Sequence, residues 1–162
     1  MVIRLFGVTT LLLACTEPAP RAPNPTRPLD ERRAIEIIVQ AFHDEGDEPV
    51  PGRPIVLGPG QALAIDVLAR GKKYGVAYVS ADERSALGAA LPPRDPAMGD
   101  ALQLVSGLGD DAEARVLVLN DSEYLYDDQV GEAHADASVT AELKLRRDVR
   151  DFLVRAQAEK WP

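Results

Sequence analysis

The chain has 162 residues, of which 46% are hydrophobic and 5% aromatic, and its formal net charge is −8. This length and apolar content suit one domain with its own core. The acidic balance argues against binding of nucleic acid and against broad adhesion to anionic lipid, because both need clustered Lys and Arg.

Residues 1–15 have the pattern of an export signal. Residues 1–4 include one cation, Arg4, and residues 5–14 form a mostly apolar run of about ten residues that ends at Cys15. A membrane-spanning helix needs roughly twenty apolar residues. We therefore expect this run to be cleaved and not to remain as a transmembrane anchor.

The end of this run resembles the lipobox of bacterial lipoproteins, and the resemblance covers only the first fifteen residues. The residues that carry it are Leu12, Leu13, Ala14 and Cys15. It implies a cleaved signal peptide at 1–14 and a Cys15 that carries a diacylglycerol and an N-acyl chain, which together bind a membrane stably. Thr16, in place of an aspartate that would signal inner-membrane retention, implies the outer membrane, facing the periplasm or the cell surface. The alternative is an ordinary secretory signal or a start-site artefact, with the cysteine there by chance.

Once Cys15 is lipidated, the chain has no thiol left, because Cys15 is its sole cysteine. A disulfide or a cysteine metal site is then excluded, so we expect the domain to depend on its core alone.

Residues 15–29 are predicted to be a lipidated cysteine followed by a stalk. Five prolines between residues 16 and 28 exclude a helix and favour an extended polyproline conformation. At about 3.1 Å per residue, this segment has a reach of roughly 40 Å. The competing interpretation, a proline-rich ligand for a small binding domain, suits an exported protein less well.

The folded domain is predicted to span residues 30–162 and to begin with a helix over 31–44, which Asp30 caps. Its apolar stripe has the i, i+3, i+4, i+7 spacing and consists of Ile35, Ile38, Val39 and Phe42. The acidic residues 44–48 and the prolines after them mark its end.

Strands are predicted over 62–69 and 74–80, joined as an antiparallel hairpin by the short polar link 70–73. The pattern Ser80-x-x-Glu83 predicts a capping box that opens a helix to about residue 90. An exposed loop over 92–100, strands over 102–106 and 115–119, and a long helix over 136–160 follow. The expected C-terminal face contains Val139, Leu143, Val149, Phe152, Leu153 and Ala156.

This order, α-β-β-α-β-β-α, predicts an α+β domain with a mainly antiparallel sheet and helices packed on one face. The strand at 115–119 is the most apolar and is expected to lie inside the sheet.

An acidic stretch after this strand is the candidate for metal chemistry. Its candidate ligands are Asp121, Glu123, Asp127, Asp128 and His134. The spacing does not match an EF-hand loop, and a solvated acidic surface is the competing explanation. Two tyrosine pairs, Tyr74 with Tyr78 and Tyr124 with Tyr126, could line a binding face or be half-buried on the sheet.

Other chemistry is poorly supported. No serine lies in a G-x-S-x-G elbow, and the two histidines, His43 and His134, are on separate elements, so no catalytic residue is assigned. The glycine turns at 58–60 and 107–109 match no phosphate-binding motif, so nucleotide binding is rejected.

Three functions remain, in this order. The first is a tethered, non-catalytic binding or assembly domain in the cell envelope, with an envelope protein as its partner. The second is a weakly marked hydrolase or metal-assisted enzyme that uses residues 121–136. The third is an envelope structural protein that self-associates through its C-terminal helix. No cofactor is expected apart from the acyl chains on Cys15.

Overall fold

The computed structural model describes residues 26–92, 102–127 and 132–162, without the side chains of residues 127 and 132–137. The helices of these segments are α1 (Glu31–Asp44), α2 (Ala81–Leu87) and α3 (Glu132–Ala158). The strands are β1 (Thr26–Pro28), β2 (Pro49–Pro51), β3 (Pro54–Gly58), β4 (Gln61–Ala64), β5 (Val67–Ala69), β6 (Tyr74–Val79), β7 (Leu104–Val105), β8 (Arg115–Asn120) and β9 (Leu125–Asp127). The predicted signal, Cys15, most of the predicted stalk and most of the loop at 92–100 lie outside the described residues.

Helix α1 has the bounds that the sequence predicts. Asp30 Oδ1 accepts the N–H of Arg33 at 3.2 Å and so caps one of the free amides of the first turn. The buried face is rotated from the predicted stripe, because Ile35 and Val39 are only partly buried. The buried residues are Ala34, Ile37, Ile38, Ala41 and Phe42.

The central sheet has five strands in the order β2-β5-β6-β8-β7. The predicted β5–β6 hairpin is confirmed, and the β2–β5 and β7–β8 pairs are also antiparallel. The β6–β8 pair is parallel, in register from Tyr74↔Arg115 to Val79↔Asn120. Parallel pairing arises because the chain crosses over through α2 and β7 before it returns as β8. The mainly antiparallel α+β fold is confirmed, with a parallel pair inside the sheet.

The strand predicted over 62–69 is divided into β4 and β5. β4 pairs with β3 in a separate hairpin, whereas β5 joins the central sheet. At the break, Asp66 Oδ2 accepts the N–H of Tyr78 at 2.7 Å, so a side chain replaces a backbone acceptor in the ladder. Gly52 lies against the break. A Cβ there would be 1.8 Å from the carbonyl oxygen of Ile65, which leaves room only for glycine.

The two faces of the sheet are covered differently. Alternate side chains of β6, from Tyr74 to Tyr78, pack in the cluster that includes α1 and α3. Ala77 and Val79 point the other way and pack in a second cluster with the β3–β4 hairpin. The prediction that helices pack on one face holds for α1 and α3. It is wrong for α2, whose Leu87 belongs to the second cluster because the crossover passes over that face.

Helix α3 is the predicted long C-terminal helix, but its buried face differs from the predicted one. Val139 and Leu143, which the sequence places on the apolar face of this helix, are 52% and 58% exposed and lie outside its buried face. Leu143 is two residues from the fully buried Leu145, and two residues turn an α-helix by about 200°. The buried set is Ala141, Leu145, Val149, Phe152, Leu153 and Ala156.

The last residues of the predicted stalk belong to the fold. β1 pairs antiparallel with β9, with Thr26 opposite Asp127 and Pro28 opposite Leu125. Leu29 follows and is 5% exposed. A three-residue strand that contains proline gives no periodic signal, so the sequence alone does not predict it.

Candidate functional site

A cleft of about 460 Å³ opens where the parallel strands β6 and β8 end. Its other walls come from β1, the start of α1 and β9. The lining residues are Arg27, Pro28, Leu29, Asp30, Glu31, Tyr78, Ser80, Glu83, Asp121 and Tyr126. In sheets with parallel strands, ligands bind outside the carboxyl ends of the strands, where successive connections diverge. The cleft occupies this position.

The two parallel strands create the cleft because the chain leaves them in different directions. After β6, Ser80 caps α2. After β8, residues Asp121–Glu123 form a single 3₁₀ turn toward β9. The side chains that follow both strands therefore surround one space.

Backbone hydrogen bonds fix three of the four cleft carboxylates. Glu83 Oε2 accepts the N–H of Ser80 at 2.9 Å, which completes the predicted capping box. Asp121 Oδ2 accepts the N–H of Ala81 at 3.3 Å, and Asp30 caps α1. These carboxylates are held in place before any ligand arrives.

The cleft has a negative potential. Four carboxylates and one guanidinium line it. Burial raises the pKa of Tyr78, and the nearby charges of Asp121, Asp30 and Glu31 raise it further. Such a potential favours a cationic group and repels anions.

The charges of two cleft carboxylates also act on a second group, Asp66. Burial is the main cause that raises the pKa of Asp66, and the charges of Glu31 and Glu83 add to it, against the hydrogen bond from Tyr78. Two of the cleft carboxylates, Glu31 and Glu83, thus act on a group that does not itself line the cleft.

The four tyrosines divide between the core and the cleft. Tyr74, Tyr78 and Tyr124 are buried in the helix-covered core, as the simpler explanation of the pairs expects. Tyr78 also reaches the cleft, where its hydroxyl donates to the carbonyl oxygen of Leu29 at 2.9 Å. The ring of Tyr126 forms part of the wall, with the guanidinium carbon of Arg27 5.1 Å from its centroid.

A polar network behind the cleft connects the end of β8 to α2. Arg84 Nη1 donates to Asn120 Oδ1 at 2.7 Å and to Gln103 Oε1 at 3.1 Å. Asn120 is 4% exposed, and its amide donates to Glu123 Oε1 at 2.8 Å. Sequence reasoning missed this network. The available signal was a lone polar residue, Asn120, at the end of the most apolar strand.

The predicted metal ligands are only partly described. Asp121 and Glu123 lie in the same turn but accept hydrogen bonds from Ala81 and Asn120. Asp128 and the side chains of Asp127 and His134 lie outside the described residues. Within the described part of the chain, no group of three or more His, Cys, Asp or Glu side chains is arranged to hold a metal ion.

Comparisons of this chain with protein-family models, with curated proteins and with solved structures found no match. Among the described residues, no helix combines the length and apolar character that a membrane span requires.

Proposed function

We propose that this chain is a membrane-tethered bacterial lipoprotein that presents a small, non-catalytic binding domain in the cell envelope. The tether rests on the lipobox-like residues 12–15 and the proline-rich segment after them. The binding role rests on one observation, the acidic cleft at the carboxyl ends of β6 and β8.

The cleft suits a cationic group with apolar neighbours. Its carboxylates attract an ammonium or guanidinium group, while Tyr126 offers a ring face and Pro28 and Leu29 offer apolar surface. A basic peptide segment of an envelope protein combines these properties. The domain would then recognise an Arg or Lys side chain of its partner.

The hydrogen bonding of the carboxylates supports binding more than proton transfer. A general acid or base must be able to exchange its proton with a substrate. Three of the cleft carboxylates accept hydrogen bonds from the backbone amides of Ser80, Ala81 and Arg33, which fix their orientation. Such fixed acceptors preorganise a site for recognition.

The tether is tested by lipid labelling. Cells that make the full chain are grown with a clickable fatty-acid analogue, and Cys15→Ala serves as the control. We expect the label and detergent-dependent extraction in the wild type and neither in the variant. Extraction without detergent in both proteins would refute the tether.

The cleft is tested separately by charge. When the full chain is purified in mild detergent, we expect a partner to co-purify in stoichiometric amount. Glu31→Gln, which removes a cleft carboxylate, should abolish this co-purification. Glu113→Gln is the matched control, because Glu113 precedes β8 at the opposite end of the sheet and pairs with Lys73. Equal partner retention by the two variants would refute the role of the cleft.

A second candidate function is self-association through α3. The exposed residues Val139 and Leu143 line a groove of about 320 Å³ between α1 and α3. Arg33 crosses this groove and donates to both carboxylate oxygens of Glu142 at 2.8 Å. If copies pack here, sedimentation should show a mass that rises with concentration and that Leu143→Asp abolishes. A constant monomer mass would refute it.

A further inference from the structure

The strand β1 is a short, exposed wall of the cleft. Its three residues are exposed, and its partner β9 is itself only three residues long. Pro28 has no N–H to donate to the pair. β1 directly follows the proline-rich segment that is predicted to lead to the membrane. We refer to β1 together with Leu29 as the strap.

Specific contacts close the strap over the cleft. The guanidinium of Arg27 lies over the ring of Tyr126. Leu29 is buried, its N–H donates to Tyr124 O at 3.0 Å, and its carbonyl accepts the hydroxyl of Tyr78. A two-stranded pair of three residues each, exposed on β1, opens at a lower free energy than the five-stranded central sheet.

The strap places its own cation in the acidic cleft. Among the described residues that line it, Arg27 is the one cation. Its guanidinium lies over the ring of Tyr126, which is the face that a basic ligand would also use. A ligand and the strap need the same surface.

We propose that the strap is an autoinhibitory contact, which an extended basic segment of the partner displaces. The incoming segment pairs with β9 in place of β1 and sets its own Arg or Lys over Tyr126. This inference rests on the proposed function, because it states how binding at the same cleft is regulated.

The exchange links binding to the tether. Release of Thr26 to Leu29 adds four residues, or roughly 13 Å of reach, to the segment that precedes the fold. Because linkage is reciprocal, tension on the tether favours the open cleft, and an occupied cleft lengthens the tether.

The first test measures opening by amide hydrogen exchange on the full chain in mild detergent. We expect the amides of Leu29 and β9 to exchange faster than those of β6 and β8. Arg27→Ala should accelerate this exchange roughly two- to fivefold, the weight of one exposed cation–π contact. Arg32→Ala is the control, since its side chain is 89% exposed on α1. If β9 exchanges only together with β6 and β8 in all three proteins, the strap does not open and the proposal is overturned.

The second test measures the exchange itself, with a synthetic peptide of residues 24–30 as the probe. Added to the Arg27→Ala chain, it should expose the Leu29 amide while the β9 amides stay protected. The same peptide with Arg27→Gln should require a roughly two- to fivefold higher concentration to expose the Leu29 amide to the same extent. Equal potency of both peptides, or a Leu29 amide that stays protected, would overturn the proposal.

These outcomes are separate from those of the proposed function. Both strap tests use the chain alone, so they can succeed even if the chain proves to have no lipid and no partner. Partner loss in Glu31→Gln reports on binding at the cleft, whereas amide exchange at Leu29 and β9 reports on the strap, so the failure of either proposal is read separately.

Discussion

The hydroxyl of Tyr78 offers a sensitive test of how the strap is held. Tyr78→Phe keeps the ring, which is 6% exposed and lies 6.1 Å from the ring of Tyr124, and removes only the donor to Leu29. A typical hydrogen bond contributes about 0.5–1.5 kcal/mol, and a buried carbonyl left without a donor costs about 1–3 kcal/mol. We therefore expect the free energy of unfolding to fall by about 1.5 kcal/mol.

Urea unfolding followed by tryptophan fluorescence measures this change. Trp161 reports the folded state, because its ring lies 5.8 Å from that of the buried Phe152. A loss of about 1.5 kcal/mol corresponds to a fall of roughly 5 °C in Tm for a domain of this size. The amide of Leu29 should also exchange faster in this variant than in the wild type.

The control is Ser85→Ala, which removes an exposed hydroxyl from α2 and should change stability by less than about 0.5 kcal/mol. The reasoning is refuted if Tyr78→Phe unfolds at the wild-type urea concentration and leaves the Leu29 amide as protected as before. The carbonyl of Leu29 would then accept a hydrogen bond from water without a loss in the free energy of unfolding, and other contacts would hold the strap.

Three further predictions concern the elements around the cleft. Gly52→Ala should destabilise the domain by about 3 kcal/mol, because the new Cβ overlaps the carbonyl oxygen of Ile65; a loss below about 1 kcal/mol in urea unfolding would contradict this packing. Ser80→Ala should cost about 1 kcal/mol and lower the helical circular dichroism of α2 on heating, because the first turn loses its cap at Glu83; an unchanged melting curve would count against the capping box. Asp66→Asn keeps an oxygen acceptor but removes the carboxyl group of Asp66, whose pKa is raised by burial. Because the folded state holds this proton more tightly than the unfolded state, ionised Asp66 costs stability above its folded pKa. The variant should therefore match the wild type in acid and become the more stable one as pH rises from about 4 toward 7, and a gap that narrows instead would show the wrong sign.

Local signals predicted several elements correctly. α1 follows from a 3.6-residue apolar period with Asp30 as its cap, and α2 follows from Ser80 and Glu83. Both depend on residues at most four positions apart, so the chain near each site contains the whole signal. The sequence also predicted β6 and β8 as apolar strands.

Other features depend on distant parts of the chain. β1 exists because Thr26–Pro28 meets β9 about a hundred residues later, and neither segment is a recognisable strand alone. The exposure of Val139 and Leu143 depends on which side of α3 meets the sheet. The break at Asp66 depends on Gly52 and Tyr78, which approach it from other elements.

The candidate site shows the same division. The sequence identified Asp121 and Glu123 among the candidate metal ligands and Ser80 with Glu83 as a cap, but it gave no reason to expect the two features at one site. The parallel pairing of β6 with β8 brings Ser80 and Asp121 to one edge of the sheet.

By itself, the sequence determined the helix periods, the caps, the apolar strands and the α+β class, because each is written in residues that are neighbours along the chain. The tertiary structure alone decided the direction of the β6–β8 pair, the closure of the strap over Tyr126 and the cleft between them. Strand direction and the meeting of distant segments follow from how the whole chain buries its apolar surface, and no local pattern encodes that outcome.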